Sequence, residues 1–419
     1  MTIRGFSSNQ KQQRKSSNQS NSLFFDIVKT SLYAFLGWVF IAPLAFLIPK
    51  KRNRVIIIGR NKGEYLDNTK YLHLYLSENE TKLEYYWLTE QKSTYNELSK
   101  HYPNILYHVS MDSITKLLTA NIVVVDAMDW QYKLKYHLLI RAKKVQLWHG
   151  VGFKKILSLN KNFRADLTNF YQNLRAKLVG RTPTYDLFIS TSDFYSKNTF
   201  GPAFCPKRME DLGYPRNDYL IRQSEKQNIN IFMEDHQLIL AVKKQGAKII
   251  TYMPTFRDQN SKMDNAFDLD HLNDFAKQHH FHFIIKGHIL SGGTKQELSN
   301  IHFYPNDKDI YPLLPQTDLL ITDYSSIYMD FLFLNRPVLF FPYDYEQYME
   351  EDNIQFDYNW ITPGEKCKTQ ATLQEQMVKI LIEGRDTHKQ ERQEIFNLAF
   401  KYKDANAAKR ITKILEELC

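Results

Sequence analysis

The sequence QTDLLITDYSSIYMDFLFLNRPVLFFPYD, residues 316–344, decides the fold of this chain. Its apolar run Leu319–Thr322 predicts a buried parallel strand, and Val338–Phe341 predicts a second one. Between these strands, apolar residues recur at helical spacing from Ile327 to Leu334. The order strand, helix, strand is typical of a doubly wound α/β domain.

The turn between the first strand and the helix is a candidate phosphate site. Asp323, Ser325 and Ser326 have the short oxygen-bearing side chains that cap helix starts. A helix start also presents unpaired N–H groups at the positive end of its dipole, which favours a bound phosphate. Capped helices without a ligand are common too, so this turn alone leaves both interpretations open.

The composition narrows the class of protein. A length of 419 residues favours two domains over one. The formal net charge of +9 indicates anionic partners such as nucleotides, phosphate polymers or anionic lipid. We find no zinc-finger spacing and no RNA-binding signature, which argues against nucleic acid. Cys205, Cys367 and Cys419 are too far apart for a disulfide framework or a metal site, so a reducing cytoplasm is expected.

Strand and helix patterns alternate in both halves of the chain, which predicts two parallel sheets with right-handed crossovers. Ligands of such sheets bind at the carboxyl ends of the strands. The predicted division is a disordered polar tail (1–22), a membrane-associating hydrophobic segment (23–50), two Rossmann-like domains (51–225 and 226–395) and a C-terminal helix (396–419).

The hydrophobic segment Leu23–Ile48 carries no charge from Ser31 onward. A spanning helix needs roughly 20 apolar residues, so its length is borderline, and Pro43 is expected to break the helix. Basic residues follow it at Lys50, Lys51, Arg52 and Arg54. We expect a monotopic anchor or shallow hairpin on the cytoplasmic face of the membrane, with its flanks held by anionic headgroups. The alternative is a buried apolar helix of the fold.

Candidate catalytic residues stand at predicted strand ends. His149 follows the strand Val145–Trp148 and precedes Gly150, and two lysines, Lys154 and Lys155, come shortly after. A histidine in this setting is a candidate general base near a phosphate. In the second half, Arg257, Lys286 and His288 also stand at strand ends. If these groups share one rim with the turn at 323–326, they form an anion pocket, although each alone is compatible with an ordinary surface charge.

Several of these motifs together resemble the CDP-glycerol glycerophosphotransferase family, which includes teichoic acid primases and poly(glycerol phosphate) polymerases. The motifs are Trp148-His149-Gly150 with Lys154-Lys155, the PTFR of 254–257, Lys286-x-His288, and TDYSS followed by RPVLFFPYD. The resemblance spans about Val55 to Phe400. It implies a GT-B-type α/β fold in which two Rossmann-like doubly wound domains face a cleft, the first on the acceptor side and the second on the CDP-donor side.

The resemblance also implies the reaction. Glycerol phosphate would pass from CDP-glycerol to the hydroxyl of a lipid-linked or polymer acceptor, releasing CMP, in the synthesis of teichoic acid or a capsule-type polymer. His149 would be the general base and His288 would contact the donor pyrophosphate. The phosphates or the nucleotide of the donor would bind Arg257, Lys286, Thr322, Asp323, Ser325 and Ser326, and the acceptor side would include Gly150, Lys154 and Lys155. No cofactor is implied, while Asp126 and Asp129 leave a divalent metal open.

Three alternatives remain: a CDP-ribitol donor, a GT-B glycosyltransferase that uses a nucleotide sugar, and a non-catalytic membrane-bound binding protein. The chain departs from the family pattern at Val151-Gly152-Phe153, where many members have Thr-Pro-Leu, and at Gly287-His288-Ile289, where His-Pro is commoner. The first departure adjoins the acceptor side, so the acceptor, and the choice between primase and polymerase, stay open.

Overall fold

The computed structural model describes residues 28–108, 110–160, 170–181, 183–222, 234–255, 267–287, 298–350 and 353–419. Its first sheet has seven parallel strands in the order β3-β2-β1-β4-β5-β6-β7. These are β1 (Lys51–Ile58), β2 (Glu84–Thr89), β3 (Ile105–Tyr107), β4 (Ala120–Val125), β5 (Lys143–Gln146), β6 (Leu187–Ser190) and β7 (Met209–Asp211). The strand order reverses between β1 and β4, and ligands bind at the carboxyl ends beside such a switch point.

The second sheet has five parallel strands in the order β10-β9-β8-β11-β12. These are β8 (Lys248–Met253), β9 (Phe281–Ile285), β10 (Ile301–Phe303), β11 (Leu319–Thr322) and β12 (Val338–Phe340). The register pairs Thr322 with Met253 on one side and with Phe340 on the other, so β8, β11 and β12 end at one rim. The predicted α/β class with two Rossmann-like sheets is confirmed.

Helices cover both faces of the sheets. The longer ones are Val28–Leu47, Asp67–Glu78, Lys92–Leu98, Met111–Thr119, Phe170–Leu178, Pro215–Arg222, Glu234–Lys244, Leu269–His279, Gln370–Leu381, Lys389–Ala399 and Ala407–Glu417. Shorter ones are Arg60–Gly63, Lys135–Leu138, Asp193–Tyr195, Gly201–Phe204, Ile327–Phe331, Tyr345–Glu350 and Tyr358–Ile361, with 3-10 turns at Leu157–Leu159, Leu314–Gln316 and Leu332–Leu334 and π turns at Gly37–Ile41 and Ser196–Phe200. The central strands are buried on both faces, as in parallel sheets generally.

The C-terminal region from Gln370 forms three helices, and within the predicted C-terminal helix (396–419) the last helix is Ala407–Glu417. The last of them, Ala407–Glu417, packs against Asp67–Glu78 of the first domain. Its first N–H groups are satisfied by the carboxylate of Asp218, which accepts hydrogen bonds from Ala407 N at 2.9 Å and Ala408 N at 2.8 Å. The chain therefore returns from the second sheet to the first, and its end is tied to the helix that adjoins the cleft.

The N-terminal apolar segment is one helix, Val28–Leu47, long and apolar enough to cross a membrane. The predicted break at Pro43 and the shallow hairpin are both wrong. A π turn at Gly37–Ile41 precedes Pro43 and accommodates the missing N–H within a continuous helix. The helix is not a buried core element either, because Phe46 is 60% exposed and Leu47 82% exposed.

Candidate active site

The carboxyl ends of the two sheets face one another across a cavity of about 250 Å³. The first domain contributes the turn Trp148–Phe153, called the His149 turn below, which follows β5. The second domain contributes the turn Tyr324–Ser326, called the serine turn, which follows β11. The full lining is Trp148, His149, Gly150, Gly152, Phe153, Lys154, Ile156, Thr199, Phe200, Pro254, Thr255, Tyr324, Ser325 and Ser326.

His149 is held in one tautomer by the backbone. Its Nδ1 lies 3.0 Å from the carbonyl oxygen of Asp126, and a carbonyl can only accept, so Nδ1 carries the proton. The ring also lies against Trp148, with 4.1 Å between the centroids. Burial lowers the pKa of His149, which keeps the ring neutral near pH 7. Its Nε2 lone pair is thus available to accept a proton in the cavity.

Two glycines let the domains meet at this point. A Cβ atom on Gly150 would lie 3.0 Å from Arg216 Nη2 and 3.1 Å from Ser326 Oγ, and the φ of Gly150 is +145°. A Cβ atom on Gly152 would lie 3.1 Å from Ser326 Cβ. Any side chain in the His149 turn at these positions would push the serine turn away. The sequence Gly-Val-Gly is therefore what brings His149 close to the second domain.

The serine turn presents two hydroxyls to the cavity. Ser325 and Ser326 both line it, and their hydroxyls make no hydrogen bond with any described residue. The expectation that side chains of this turn cap the helix is wrong, because Ser326 at the helix start makes no capping bond. The helix Ile327–Phe331 that follows is a single short turn, so the hydroxyls, more than a helix dipole, mark this side of the cavity.

The two predicted donor-site residues that directly precede the serine turn have structural partners. Asp323 accepts a hydrogen bond from Thr255 N at 2.7 Å, which ties the serine turn to the loop after β8. Thr322 is buried, and its hydroxyl donates to Met253 O at 2.7 Å. Neither residue lines the cavity. Both hold the serine turn in place.

The two lysines predicted on the acceptor side take different positions. Lys154 lines the cavity, with its Nζ 3.3 Å from Thr255 Oγ1. Lys155 does not line it, and its backbone N–H donates to Asn353 O at 2.7 Å. This backbone bond joins the start of the segment after the His149 turn to the second domain. Lys154 is therefore the lysine of this pair that can meet a substrate in the cavity.

Lys286 was predicted to bind donor phosphates, but it has a structural role. It donates to three carbonyl oxygens, those of Pro305 at 2.7 Å, Asn306 at 3.1 Å and Lys308 at 2.6 Å. Burial lowers the pKa of Lys286 to about 8. Lys286 therefore secures the loop after β10, and all three of its ammonium protons are used there.

The remaining predicted site residues, Arg257 and His288, lie outside the described residues. Within the described ranges, no group of three or more His, Cys, Asp or Glu side chains is placed to hold a metal. The three cysteines are free.

Sequence reasoning misses Arg216, which follows Gly-Tyr-Pro in a turn-rich stretch. It lies in the helix Pro215–Arg222 and is 3% exposed. Its Nη1 donates to His149 O at 2.8 Å and forms an ion pair with Asp67, and its Nη2 lies 2.6 Å from Asp330 Oδ2. Arg216 thus connects the His149 turn, the first domain and the second domain. Nothing in the local sequence distinguishes it from a surface arginine.

A second buried ion pair crosses between the domains beside the first. Lys70 Nζ lies 2.6 Å from Asp309 Oδ2, and Tyr71 OH donates to the same oxygen at 2.8 Å. Lys70 comes from the helix Asp67–Glu78, and Asp309 precedes β11 in the second domain. Breaking a buried pair by removing one partner is strongly destabilising, so these pairs hold the domains in the arrangement that forms the cavity.

A family model described as CDP-glycerol:poly(glycerophosphate) glycerophosphotransferase matches residues 40–417. The chain belongs to this family. The match includes both sheets, the His149 turn and the serine turn. The predicted family and its GT-B-type fold are confirmed.

Relatives in the glycerophosphotransferase family are enzymes of teichoic acid synthesis. The teichoic acid poly(glycerol phosphate) polymerase of Bacillus subtilis is 27% identical over 343 residues, which cover 78% of this chain and 44% of the relative. The teichoic acid glycerol-phosphate transferase of Staphylococcus aureus is 27% identical over 349 residues, covering 78% of this chain and 83% of the relative. The chain thus spans less than half of the first relative and most of the second.

The fold of this family member is also found in a solved structure. The wall teichoic acid polymerase TagF superposes with a TM-score of 0.70 at 21% identity, and the superposition covers 97% of each chain. At that identity the likeness concerns the fold alone. It extends across both sheets and the cleft between them.

Proposed function

We propose that this chain transfers glycerol phosphate from CDP-glycerol to the hydroxyl of a lipid-linked or polymer acceptor and releases CMP, in teichoic acid or capsule-type polymer synthesis. Membership of the glycerophosphotransferase family supports the reaction class. The observation that carries the proposal is the placement of His149, because a neutral imidazole fixed by the Asp126 carbonyl lines the cavity opposite the two hydroxyls of the serine turn.

In the proposed reaction, His149 Nε2 removes the proton of the acceptor hydroxyl. The acceptor oxygen forms a bond to the phosphorus that carries glycerol, and the bond from that phosphorus to the bridging oxygen of the pyrophosphate breaks. The electron pair leaves with CMP. Ser325 and Ser326 donate hydrogen bonds to donor phosphate oxygens, and the Lys154 ammonium at the cavity wall offsets their charge.

In this proposal each domain binds one of the two substrates. The acceptor reaches the cavity from the side of the His149 turn, and the CDP-linked donor binds the second domain beside the serine turn. Arg257 and His288 remain proposed donor contacts on the strength of the family motif alone. No nucleic acid partner is proposed.

Attachment to the cytoplasmic face of the membrane is the second part of the proposal. It is supported by the helix Val28–Leu47, whose apolar residues are largely turned outward. An acceptor built on a lipid is held at the membrane surface, so an enzyme attached there meets it at high local concentration.

The experiment that tests the reaction measures CMP release by the purified full chain. CDP-glycerol and CDP-ribitol are supplied separately, each with a lipid-linked disaccharide acceptor that does or does not carry one glycerol phosphate. We expect release with CDP-glycerol, and we expect His149→Gln to lower turnover by about 10²- to 10⁴-fold. His101→Gln is the matched control, since the His101 side chain is 47% exposed and lies in another part of the first domain.

Each other result identifies a different activity. Release with CDP-ribitol alone would make the chain a ribitolphosphotransferase. No CMP release with either CDP-alditol, together with UDP release when a UDP-sugar is supplied in their place, would make it a nucleotide-sugar enzyme. Equal turnover of His149→Gln and the parent would contradict the assignment of His149 as the base.

A further inference from the structure

A second concave site lies at the opposite edge of the first sheet. Its volume is about 430 Å³, and its charged lining consists of Arg141, Lys143, Lys144, Lys207 and a single acidic residue, Asp186. Lys143 and Lys144 begin β5, Asp186 directly precedes β6, and Lys207 precedes β7. The site is therefore built from the amino ends of three strands, whereas His149 follows the carboxyl end of β5. We call it the basic pocket.

The positive charge of the basic pocket is only partly neutralised. Lys207 Nζ lies 2.7 Å from Asp186 Oδ1, while Lys144 Nζ donates to the carbonyl oxygens of Ile140 at 3.3 Å and Ala142 at 3.1 Å. Burial lowers the pKa of Lys144; the nearby Asp186 carboxylate opposes this shift, and neighbouring Lys207 adds to it. Lys143 Nζ donates to the carbonyl oxygen of Leu418. The site therefore holds four cations and one carboxylate, while the carbonyl partners carry no net charge, so a bound anion would stabilise it.

The basic pocket adjoins the end of the apolar helix. Arg141 Nη1 donates to the carbonyl oxygens of Ala45, Phe46 and Ile48, each at 3.1 Å. The Arg141 guanidinium also lies 5.7 Å from the centroid of the Phe46 ring. One arginine thus joins the wall of the pocket to the last turn of Val28–Leu47. The pocket and the helix are parts of one surface.

The helix supplies the apolar half of that surface. Large apolar side chains along its length are exposed, including Phe35 at 58%, Phe40 at 58% and Leu47 at 82%. The surfaces of soluble proteins seldom expose so many contiguous apolar groups, and such patches mark sites of interaction. An apolar face bordered by cations is complementary to the interface of an anionic membrane, where acyl chains lie beneath phosphate groups.

We infer that the basic pocket binds the phosphate of an anionic lipid headgroup while the apolar face of Val28–Leu47 lies among the acyl chains. This inference rests on the membrane attachment proposed above and is independent of the transfer reaction. Of the four basic residues that follow the helix, Lys51 and Arg54 bind Glu84 and take no part in the pocket. The inference assigns a specific lipid contact to the amino edge of the first sheet.

The test is flotation of the full chain with vesicles of phosphatidylcholine, with or without phosphatidylglycerol. We expect the parent to bind anionic vesicles more tightly, and we expect Lys144→Gln/Lys207→Gln to weaken that binding by about tenfold or more without changing its binding to neutral vesicles. The control is Lys277→Gln/Lys379→Gln, which removes the same charge from the second domain and should retain parental binding. Thermal unfolding of each variant verifies that it is folded.

Inorganic phosphate distinguishes the source of the anion. If inorganic phosphate displaces the parent from anionic vesicles only at concentrations high enough to screen any surface charge, the pocket is a lipid site. If it stabilises the parent but not Lys144→Gln/Lys207→Gln, and lipid composition has no effect, the pocket binds a free phosphate and the inference is overturned. Equal binding to both vesicle types overturns it while leaving membrane attachment intact, and CMP release with a short water-soluble acceptor reports on the reaction separately.

Discussion

Arg216 Nη2 lies 2.6 Å from Asp330 Oδ2, so a residue of the first domain and a residue of the second share a buried ion pair directly behind the His149 turn. The Tyr311 hydroxyl donates to the same Asp330 oxygen at 2.8 Å. Desolvation of two charges is costly, and a pair of this kind contributes conformational specificity when it fixes the placement of other groups. Here it fixes His149, whose carbonyl accepts from the same guanidinium.

Replacing Arg216 therefore affects both folding and catalysis. Arg216→Met leaves Asp67 and Asp330 without their buried partner, and we expect the free energy of unfolding to fall by about 3–5 kcal/mol. Arg216→Lys keeps the charge but cannot make the forked set of contacts. We therefore expect the loss in CMP release, expressed as a free energy, to exceed the loss in the free energy of unfolding. Urea denaturation and CMP release measure the two effects.

Arg208→Met serves as the control for these variants. Arg208 pairs with Glu210 at 2.8 Å, but its side chain is 46% exposed, and exposed pairs contribute about 0–1 kcal/mol. A stability loss in Arg216→Met no larger than that of Arg208→Met would show that the interdomain pair is not a structural requirement.

Gly150 permits a test of the contact between the domains. Gly150→Ala combines a strained backbone with a clash against Ser326, whereas Gly246→Ala also has a positive φ, +87°, and nothing within 4 Å. Left-handed backbone costs about 1–2 kcal/mol for a residue with a Cβ, so the two variants should lose comparable stability from strain. We expect only Gly150→Ala to lose most of its CMP release. Equal activity of both variants would mean that the His149 turn tolerates displacement.

Removal of the two hydroxyls of the serine turn should weaken the affinity for the donor. Ser325→Ala/Ser326→Ala removes two hydroxyls that line the cavity, and hydrogen bonds to charged groups contribute about 1.5–3 kcal/mol each. We expect the KM for CDP-glycerol to rise by about tenfold or more, while the KM for the acceptor changes little. Ser99→Ala, on an exposed helix end, is the control. An effect confined to the acceptor would reverse the proposed assignment of the two domains.

The buried carboxyl of Asp126 should make the free energy of unfolding depend on pH. Burial, with a contribution from Asp67, raises the pKa of this carboxyl from 3.8 to about 7. The folded protein therefore holds a proton here that the unfolded chain has already released, and this contribution to stability is present below about pH 4 and is lost as pH rises through about 7. Asp126→Asn mimics the protonated form, so its stability relative to the parent should increase across that range.

Denaturation of both proteins from pH 4 to pH 8 measures this difference, with Asp193→Asn as an exposed control. A difference that stays constant with pH would mean that Asp126 is ionised throughout. CMP release by Asp126→Asn is informative as well, because His149 Nδ1 contacts the backbone carbonyl of Asp126 and not its carboxyl. The orientation of His149 should therefore survive the substitution.

The parts of the structure that follow from local patterns could be predicted from the sequence. Buried parallel strands such as β1 and β11 are runs of apolar residues, and His149 stands out because it ends such a run. Strand β7 escapes prediction because its three residues are half-buried and carry no continuous apolar pattern. The family followed from motifs distributed over both domains, and its model matches almost the whole chain.

The parts that depend on distant partners could not be predicted. Lys286 has the charge of a phosphate ligand, but the fold directs its ammonium to carbonyl oxygens such as that of Pro305. The carboxylate of Asp323 likewise accepts from the backbone N–H of Thr255. Arg216 follows a proline in a turn-rich sequence, and its partners Asp67, His149 and Asp330 are distant from it along the chain. Spacing along a chain identifies which groups are present, whereas their partners are set by packing.

The position of β5 has a consequence for the acceptor. This strand begins with lysines of the basic pocket and leads to His149, so the two sites are separated by roughly 15–20 Å along an extended backbone. If the amino edge of the sheet rests on the bilayer, bond formation occurs at a fixed height above the headgroups. An acceptor must then be long enough for its terminal hydroxyl to reach His149 at that height. The enzyme would not act on acceptor chains that are too short to reach this residue.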